Sequence, residues 1–353
     1  MATSSTSTST SSVIPSQAVP AAKSPLAEIP FSLLELAPVR YGASIGDTLR
    51  ASLQYAKVAD DLGFNRFWFA EHHNMPGIAS AATSVLIGFI AENTKRIRVG
   101  AGGIMLPNHA PLVVAEQFGT LESLYPGRID LGLGRAPGSD QITSRALNRD
   151  MSRAEQFPAE VSELQTLLGD YNGHHPVRAI PGEGTHVPIW LLGSSLFSAQ
   201  LAAQRGLPYV FAGHFAPRFL YDAIEIYRRD FKPSKVLDKP YVMLGLPLIA
   251  AETDAEAEYL STTSKQRVLA LIRGEALWLK PPVESMDGLW SEQEKTYVDN
   301  FLGLSVTGGP TTIKHRLEMI VKELGVDEFI FTNDLYDQDK RERALQILME
   351  IKR

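Results

Sequence analysis

The 353-residue chain contains no cysteine. Disulfides, thiolate metal ligands and a cysteine nucleophile are therefore excluded, and the redox compartment is left open. No apolar run is long enough to span a bilayer. No basic block stands out among 40 acidic and 34 basic side chains with a net charge of −6, which argues against a nucleic-acid partner. Two chemical signatures are also missing. Residues 100–103 (GAGG) and 132–137 (GLGRAP) both fail to complete the G-x-G-x-x-G dinucleotide fingerprint. The HExxH zinc pattern does not occur.

The first 28 residues are rich in Ser, Thr, Ala and Pro, with Lys23 as their one basic residue. They lack the basic start and apolar stretch of a signal peptide. They also carry too little apolar surface to offset the entropy of ordering, so they read as a disordered tail. Residues 29–353 read as one domain. Apolar strand candidates lie at 29–36, 64–70, 97–102, 128–133, 188–192, 209–212, 241–250 and 328–332, with helical periods between them. Their nearly continuous apolar character suits strands covered on both faces. Eight strands alternating with helices predict an α/β fold, a TIM (β/α)8 barrel, with an open Rossmann sheet as the alternative. Asp47 is placed to cap the first helix. Two connections are unusual. Residues 134–150 show no period and form a long loop of the kind that is often functional. Residues 274–300 are irregular, contain Trp278 and Trp290, and read as an insertion after strand seven able to close over a site.

Several groups fall at expected strand ends, where barrel chemistry resides. Glu71-His72-His73-Asn74 ends the second strand. Neighbouring residues on a strand point to opposite faces, so the two histidines cannot easily share a metal, and no metal site is expected. A histidine facing the mouth can carry a proton; paired structural histidines are the alternative, and the position at a strand end favours the functional reading. Gly102 and Gly103 would let a flat ligand approach the backbone, although glycine content alone favours a simple bulge or turn. Arg135 and Arg153 flank the long loop and suit phosphate, although a surface ion pair is commoner for any one arginine. Gly193, Ser194 and Ser195, with Ser198 a turn later, open a helix whose N–H groups can hold an anion, although serine also serves as an ordinary cap. Two arginines beside a serine-rich helix start make a phosphate pocket more plausible than any one of them does. His109 and His214 lie near strand ends and are weaker candidates, while His174, His175 and His186 lie in a polar connection.

Taken together, AEHHN, VGAGGIMLPNHAP, GRIDLGLGRAPG, PIWLLGSS and AAQRGLP resemble the bacterial luciferase-like flavin monooxygenase superfamily, nearest its single-chain, non-luminescent group 1 oxidoreductases. The resemblance runs from about residue 31 to 351. It implies a barrel that is usually a homodimer and binds FMN at its C-terminal mouth. It carries a histidine needed for oxygen chemistry onto His72. It places a non-prolyl cis peptide against the flavin ring at Gly102–Gly103, and FMN-phosphate contacts at Arg135, Arg153 and the strand-five loop of Gly193, Ser194, Ser195 and Ser198. Two departures stand out. Gly134 replaces a cysteine and Ser194 an acidic residue, so a long-chain aldehyde substrate and light emission are not implied. The resulting expectation is an FMN-dependent monooxygenase in the cytoplasm. It would use O2 and reduced flavin from a separate reductase to oxidise a small organic substrate. The deazaflavin F420, used by other branches for hydride transfer, and a flavin-binding protein without turnover are the alternatives.

Overall fold

The protein is described by a computed structural model covering residues 24–136, 140–147, 153–214 and 217–353, without the side chains of Gln141, Arg153 and Pro217. Eight parallel strands close on themselves: β1 (Phe31–Glu35), β2 (Arg66–Phe69), β3 (Arg98–Met105), β4 (Ile129–Gly134), β5 (Ile189–Gly193), β6 (Tyr209–Ala212), β7 (Val242–Ala250) and β9 (Glu328–Thr332). Each pairs with the next, and β9 pairs with both β7 and β1. This closure makes a TIM barrel and overturns the open-sheet alternative. A short additional strand, β8 (Val306–Gly308), hangs on the outer end of β7 and is not among the eight strands expected from the sequence.

The strands are apolar on both faces because both are buried. Leu34, Trp68, Trp190, Val210, Met243 and Ile330, from six strands, form one cluster inside the barrel. Their sequence neighbours Leu33, Phe67, Phe69, Leu191 and Phe329 belong to a separate layer packed against the helices. The period-2 alternation of a strand thus appears as two cores rather than as apolar and polar faces. At the N-terminal end the interior turns ionic. Asp130 is fully buried, pairs with Arg66 at 2.7 Å and Arg98 at 2.6 Å, and accepts from Trp68 Nε1 at 3.1 Å. Glu328 binds Arg66 at 3.1 Å and the Tyr241 hydroxyl at 2.8 Å. Several hydrogen bonds on each carboxylate offset the cost of burying it. This network closes the barrel floor and leaves the opposite end for the site.

The helices depart from sequence expectation in instructive places. In α1 (Ile45–Leu62) the cap is Ser44, whose hydroxyl accepts from the Asp47 amide at 3.0 Å, so Asp47 sits inside the first turn. The expected long loop at 134–150 contains α4 (Gln141–Ala146), started by Asp140, which accepts from the Thr143 amide at 2.8 Å. At six residues it is too short to show a period. Helix α5 (Arg153–Leu168) follows. The 274–300 segment is not uniformly irregular either. After α8 (Asp254–Ile272) it is stitched to the mouth loops: the Leu277 amide donates to Pro76 O at 2.8 Å and the Leu279 amide to Val39 O at 2.9 Å. It then forms α9 (Glu292–Phe301) behind a capping box of Ser291 and Glu294. Residues 24–28, read as tail, include a short 3-10 turn whose Leu26 is fully buried, because one apolar side chain suffices to anchor it. Residues 1–23 lie outside the described part, and so does the disorder expected there.

Candidate active site

Two clefts open side by side at the C-terminal ends of the strands. The first encloses about 850 Å³ of space, partly open to solvent. It brings together Gly102, Gly103, Arg135, Gly193, Ser194, Ser195 and Ser198. Arg153 opens α5, but its side chain lies outside the described residues. His72 lines the second cleft, of about 820 Å³, and His214 lines both. The sequence candidates therefore assemble at one mouth but divide between two adjoining chambers.

The floor of the first cleft is set by glycine. The Gly102–Gly103 peptide is cis, as the resemblance implies, and the β3–β4 register shifts between Ala101 and Ile104. A Cβ on Gly102 would stand 2.6 Å from Leu34 Cδ1, and one on Gly103 2.7 Å from Gly132 O. Side chains at these positions are excluded by the barrel itself, which leaves bare backbone facing the cleft.

At the far wall, β5 runs into α6 (Leu196–Arg205). Gly193 allows the Ser198 hydroxyl to pack onto the strand end, where a Cβ would lie 2.3 Å from Ser198 Oγ. Ser195 occupies the cap position of α6, but its side chain makes no capping hydrogen bond, unlike Ser44, Thr253 and Ser291 at the starts of α1, α8 and α9. The ordinary-cap reading of this serine thus loses its support. The first-turn amides of α6 and its positive dipole end face the cleft without a serine hydroxyl over them. Arg135 extends over the Phe197 ring, with its guanidinium carbon 4.0 Å from the centroid. The stacking holds the cation beside the same helix start. Bare glycine backbone, a helix N-terminus, three hydroxyls and a fixed arginine form a donor set suited to a flat ring carrying a phosphate.

The second cleft is mostly apolar, walled by Met75, Ile78, Leu248, Leu277 and Phe301. Leu277 and Phe301 come from the 274–300 segment and the end of α9, so the insertion forms part of the wall. Burial, together with the nearby His72, holds His214 down at about 3, so His214 is neutral at physiological pH. Arg267 of α8 and Asp334 add an ion pair to this wall.

Behind His72 lies a brace that was not legible in the sequence. Glu71 is fully buried and accepts from His73 Nε2 at 2.8 Å, His109 Nε2 at 2.9 Å and the Met105 amide at 3.0 Å. Burial pushes its carboxyl upward, but the hydrogen bonds from His109 and His73 outweigh that and hold it at about 2. Among the described residues, these three side chains are a group whose potential metal-ligand atoms converge within 4.8 Å. The contacts are of hydrogen-bond length and the carboxylate also holds a backbone amide, so the cluster acts as a tie. It joins the end of β2, which carries His72, to Met105 in the floor of the first cleft. Glu71 and His73 are two residues apart, but His109 stands 38 residues beyond Glu71, so the run Glu71-His72-His73-Asn74 does not by itself announce the tie.

The family model described as luciferase-like monooxygenase matches residues 30–328. A luciferase-like monooxygenase of Escherichia coli (strain K12) is 50% identical over 325 residues, covering 92% of this chain and 97% of that protein. The uncharacterized protein YvbT of Bacillus subtilis (strain 168) is 52% identical over 321 residues, covering 91% and 96%. The crystal structure of apo-MsnO8 matches with a TM-score of 0.83 at 32% identity, covering 93% of this chain and 98% of that one.

Proposed function

We propose that this chain, which belongs to the luciferase-like monooxygenase family, binds FMN in the first cleft and oxidises a small organic molecule in the second. The observation that carries the reading is the meeting of two unlike chambers at His214: a donor-rich, glycine-floored cleft and an apolar one containing His72. The FMN phosphate sits at the α6 N-terminus, held by Arg135 with Ser194, Ser195 and Ser198, and by Arg153 from the start of α5. Gly102 and Gly103 support the ring with bare backbone. When bound in reduced form, the flavin supplies the electrons that activate O2.

The rest is done by the chain. The apolar wall excludes water from the reacting end of the cleft. His72 donates a hydrogen bond or proton where flavin and substrate meet. His214, held neutral by its surroundings, adds no positive charge beside His72. The Glu71 tie fixes the segments carrying His72 and Met105 relative to each other. Reduced flavin comes from a separate reductase, as the likeness to luciferase-like monooxygenases implies. Residues 29–353 are the working unit, with 1–28 as an appended tail in a cytoplasmic protein. No described helix is long and apolar enough to cross a membrane. The unit works as a homodimer. Exposed Val85 and Phe89 on α2 (Thr83–Glu92), with Val113 and Leu124 on the adjoining α3 (Pro111–Leu124), supply an apolar face for the second copy.

The test is a parallel titration with FMN, photoreduced FMN and F420, following absorbance and then oxygen uptake. Micromolar FMN binding and substrate-dependent oxygen uptake from reduced FMN are expected. F420 binding without oxygen uptake would replace this reading with hydride transfer. FMN binding with no turnover over a broad substrate panel would replace it with a flavin-binding role.

A further inference from the structure

We infer that Glu71, His73 and His109 form a binding site for one divalent transition-metal ion of the zinc type, and that the ion grips the chain on both sides of His72. The site is built by this chain's own side chains, so the inference stands apart from the assignment of FMN to the first cleft.

The three residues come from neighbouring barrel strands. Glu71 and His73 follow β2, and His109 follows β3 and the short 3-10 turn Leu106–Asn108. One carboxylate oxygen and two imidazole nitrogens lie within 4.8 Å of one another. Glu71 Oε2 accepts from the Met105 amide at 3.0 Å. Both imidazoles converge on Oε1, His73 Nε2 at 2.8 Å and His109 Nε2 at 2.9 Å. Bonds of about 2.0–2.2 Å from zinc to nitrogen and oxygen put neighbouring tetrahedral ligands about 3.3–3.6 Å apart. Moving each imidazole outward by about half an ångström reaches that spacing. The His73 and His109 side chains are 18% and 31% exposed, which gives the rings room to move and the ion a way in. The Met105 amide then holds the ligating carboxylate from behind, as outer-sphere partners do in metal sites.

The donor set selects the ion. Two imidazoles and one carboxylate suit zinc, cobalt, nickel or copper, whereas calcium and magnesium take oxygen ligands. Burial pushes the Glu71 carboxyl upward, but hydrogen bonds from His109 and His73 hold it at about 2, so it is anionic at neutral pH and offsets part of the ion's charge. Three protein ligands leave a fourth position for water. Adjacent residues on a strand face opposite ways, which separates His72 from His73, but this set pairs His73 with a histidine of the next strand. In the hydrogen-bonded form the same side chains make the tie described above. The ion takes the place of the Nε2 protons, and each ring keeps its proton on Nδ1. His72 lies between two ligands in sequence, so the ion fixes its backbone from both flanks.

The experiment titrates the full chain, with and without FMN, with cobalt(II), whose visible absorption reports its coordination, and then adds zinc(II). One cobalt per chain with the intense band of four-coordinate ligation is expected in both samples, and zinc should abolish the band. His73→Gln and His109→Gln each remove one ligand from a part-exposed position. Each should weaken cobalt by at least the about 10–100-fold that loss of an outer-sphere partner costs. If one of these variants fails to fold, as judged by circular dichroism, the other carries the test. His72→Gln, and joint replacement of His174, His175 and His186 by Gln, leave the set intact and should bind cobalt as wild type does. No cobalt bound at micromolar concentration, the faint spectrum of six-coordinate cobalt, wild-type affinity in folded His73→Gln or His109→Gln, or an equal loss in His72→Gln overturns the inference.

Discussion

His72 and His214 share one wall, and their environments divide the work between them. His214 is held near 3 by burial and by its neighbour, which removes it as a proton donor at neutral pH. Replacing His72 with Ala should leave FMN affinity within about twofold and slow oxygen-dependent turnover by about 10²–10⁴, the usual weight of general acid–base help. A variant with wild-type turnover would remove that role. His72, Arg135 and the serines were legible in the sequence because each stands at the end of an apolar run. The Glu71 tie, the Phe197 ring under Arg135 and the Arg267–Asp334 pair were not. Each joins side chains from different elements, or hides a charge inside a helix whose pattern gives no sign of it.

At the scale of elements, the sequence revealed what is apolar and periodic and hid what is short and polar. The barrel strands stood out because both faces are covered, and their expected bounds lie within a few residues of those observed. Helices α4 and α9 did not, since six and ten polar-rich residues carry little period. For α9 a signal was available: Ser291 followed three residues later by Glu294, in a geometry that satisfies both amides. Replacing Ser291 with Ala should cost about 1 kcal/mol of stability. Because α9 ends at Phe301 in the wall of the second cleft, the same change should increase protease cleavage within 274–300 before it alters global unfolding. Equal cleavage in the variant and wild type would show that the cap does not hold this wall.

The whole molecule is a barrel closed by charge at one end and opened for chemistry at the other. The floor pairs Asp130 and Glu328 with Arg66 and Arg98, and the mouth holds neutral His214 and ionised Glu71. Both mouth groups link stability to pH with the same sign. Folded His214 stays neutral down to about 3, whereas the unfolded chain takes up a proton below its ordinary 6.5. Stability therefore falls as pH drops through that window, by up to about 1.4 kcal/mol per pH unit. Glu71 is held at about 2 against an ordinary 4.5, so its contribution is complete above 4.5 and lost as pH falls towards 2. Denaturant melts between pH 7 and 5 should show a decline that His214→Gln flattens. An unchanged slope in that variant would mean that His214 titrates normally in the folded state.

In the proposed reading, FMN binding depends most on a phosphate seat at the start of α6. Fluorescence titration of FMN and riboflavin against wild type and Arg135→Ala tests it most directly. Wild type should bind FMN well above riboflavin, and Arg135→Ala should weaken FMN by about tenfold to a hundredfold while leaving riboflavin nearly unchanged. Equal affinity of wild type for the two flavins, or equal losses in the variant, would contradict it.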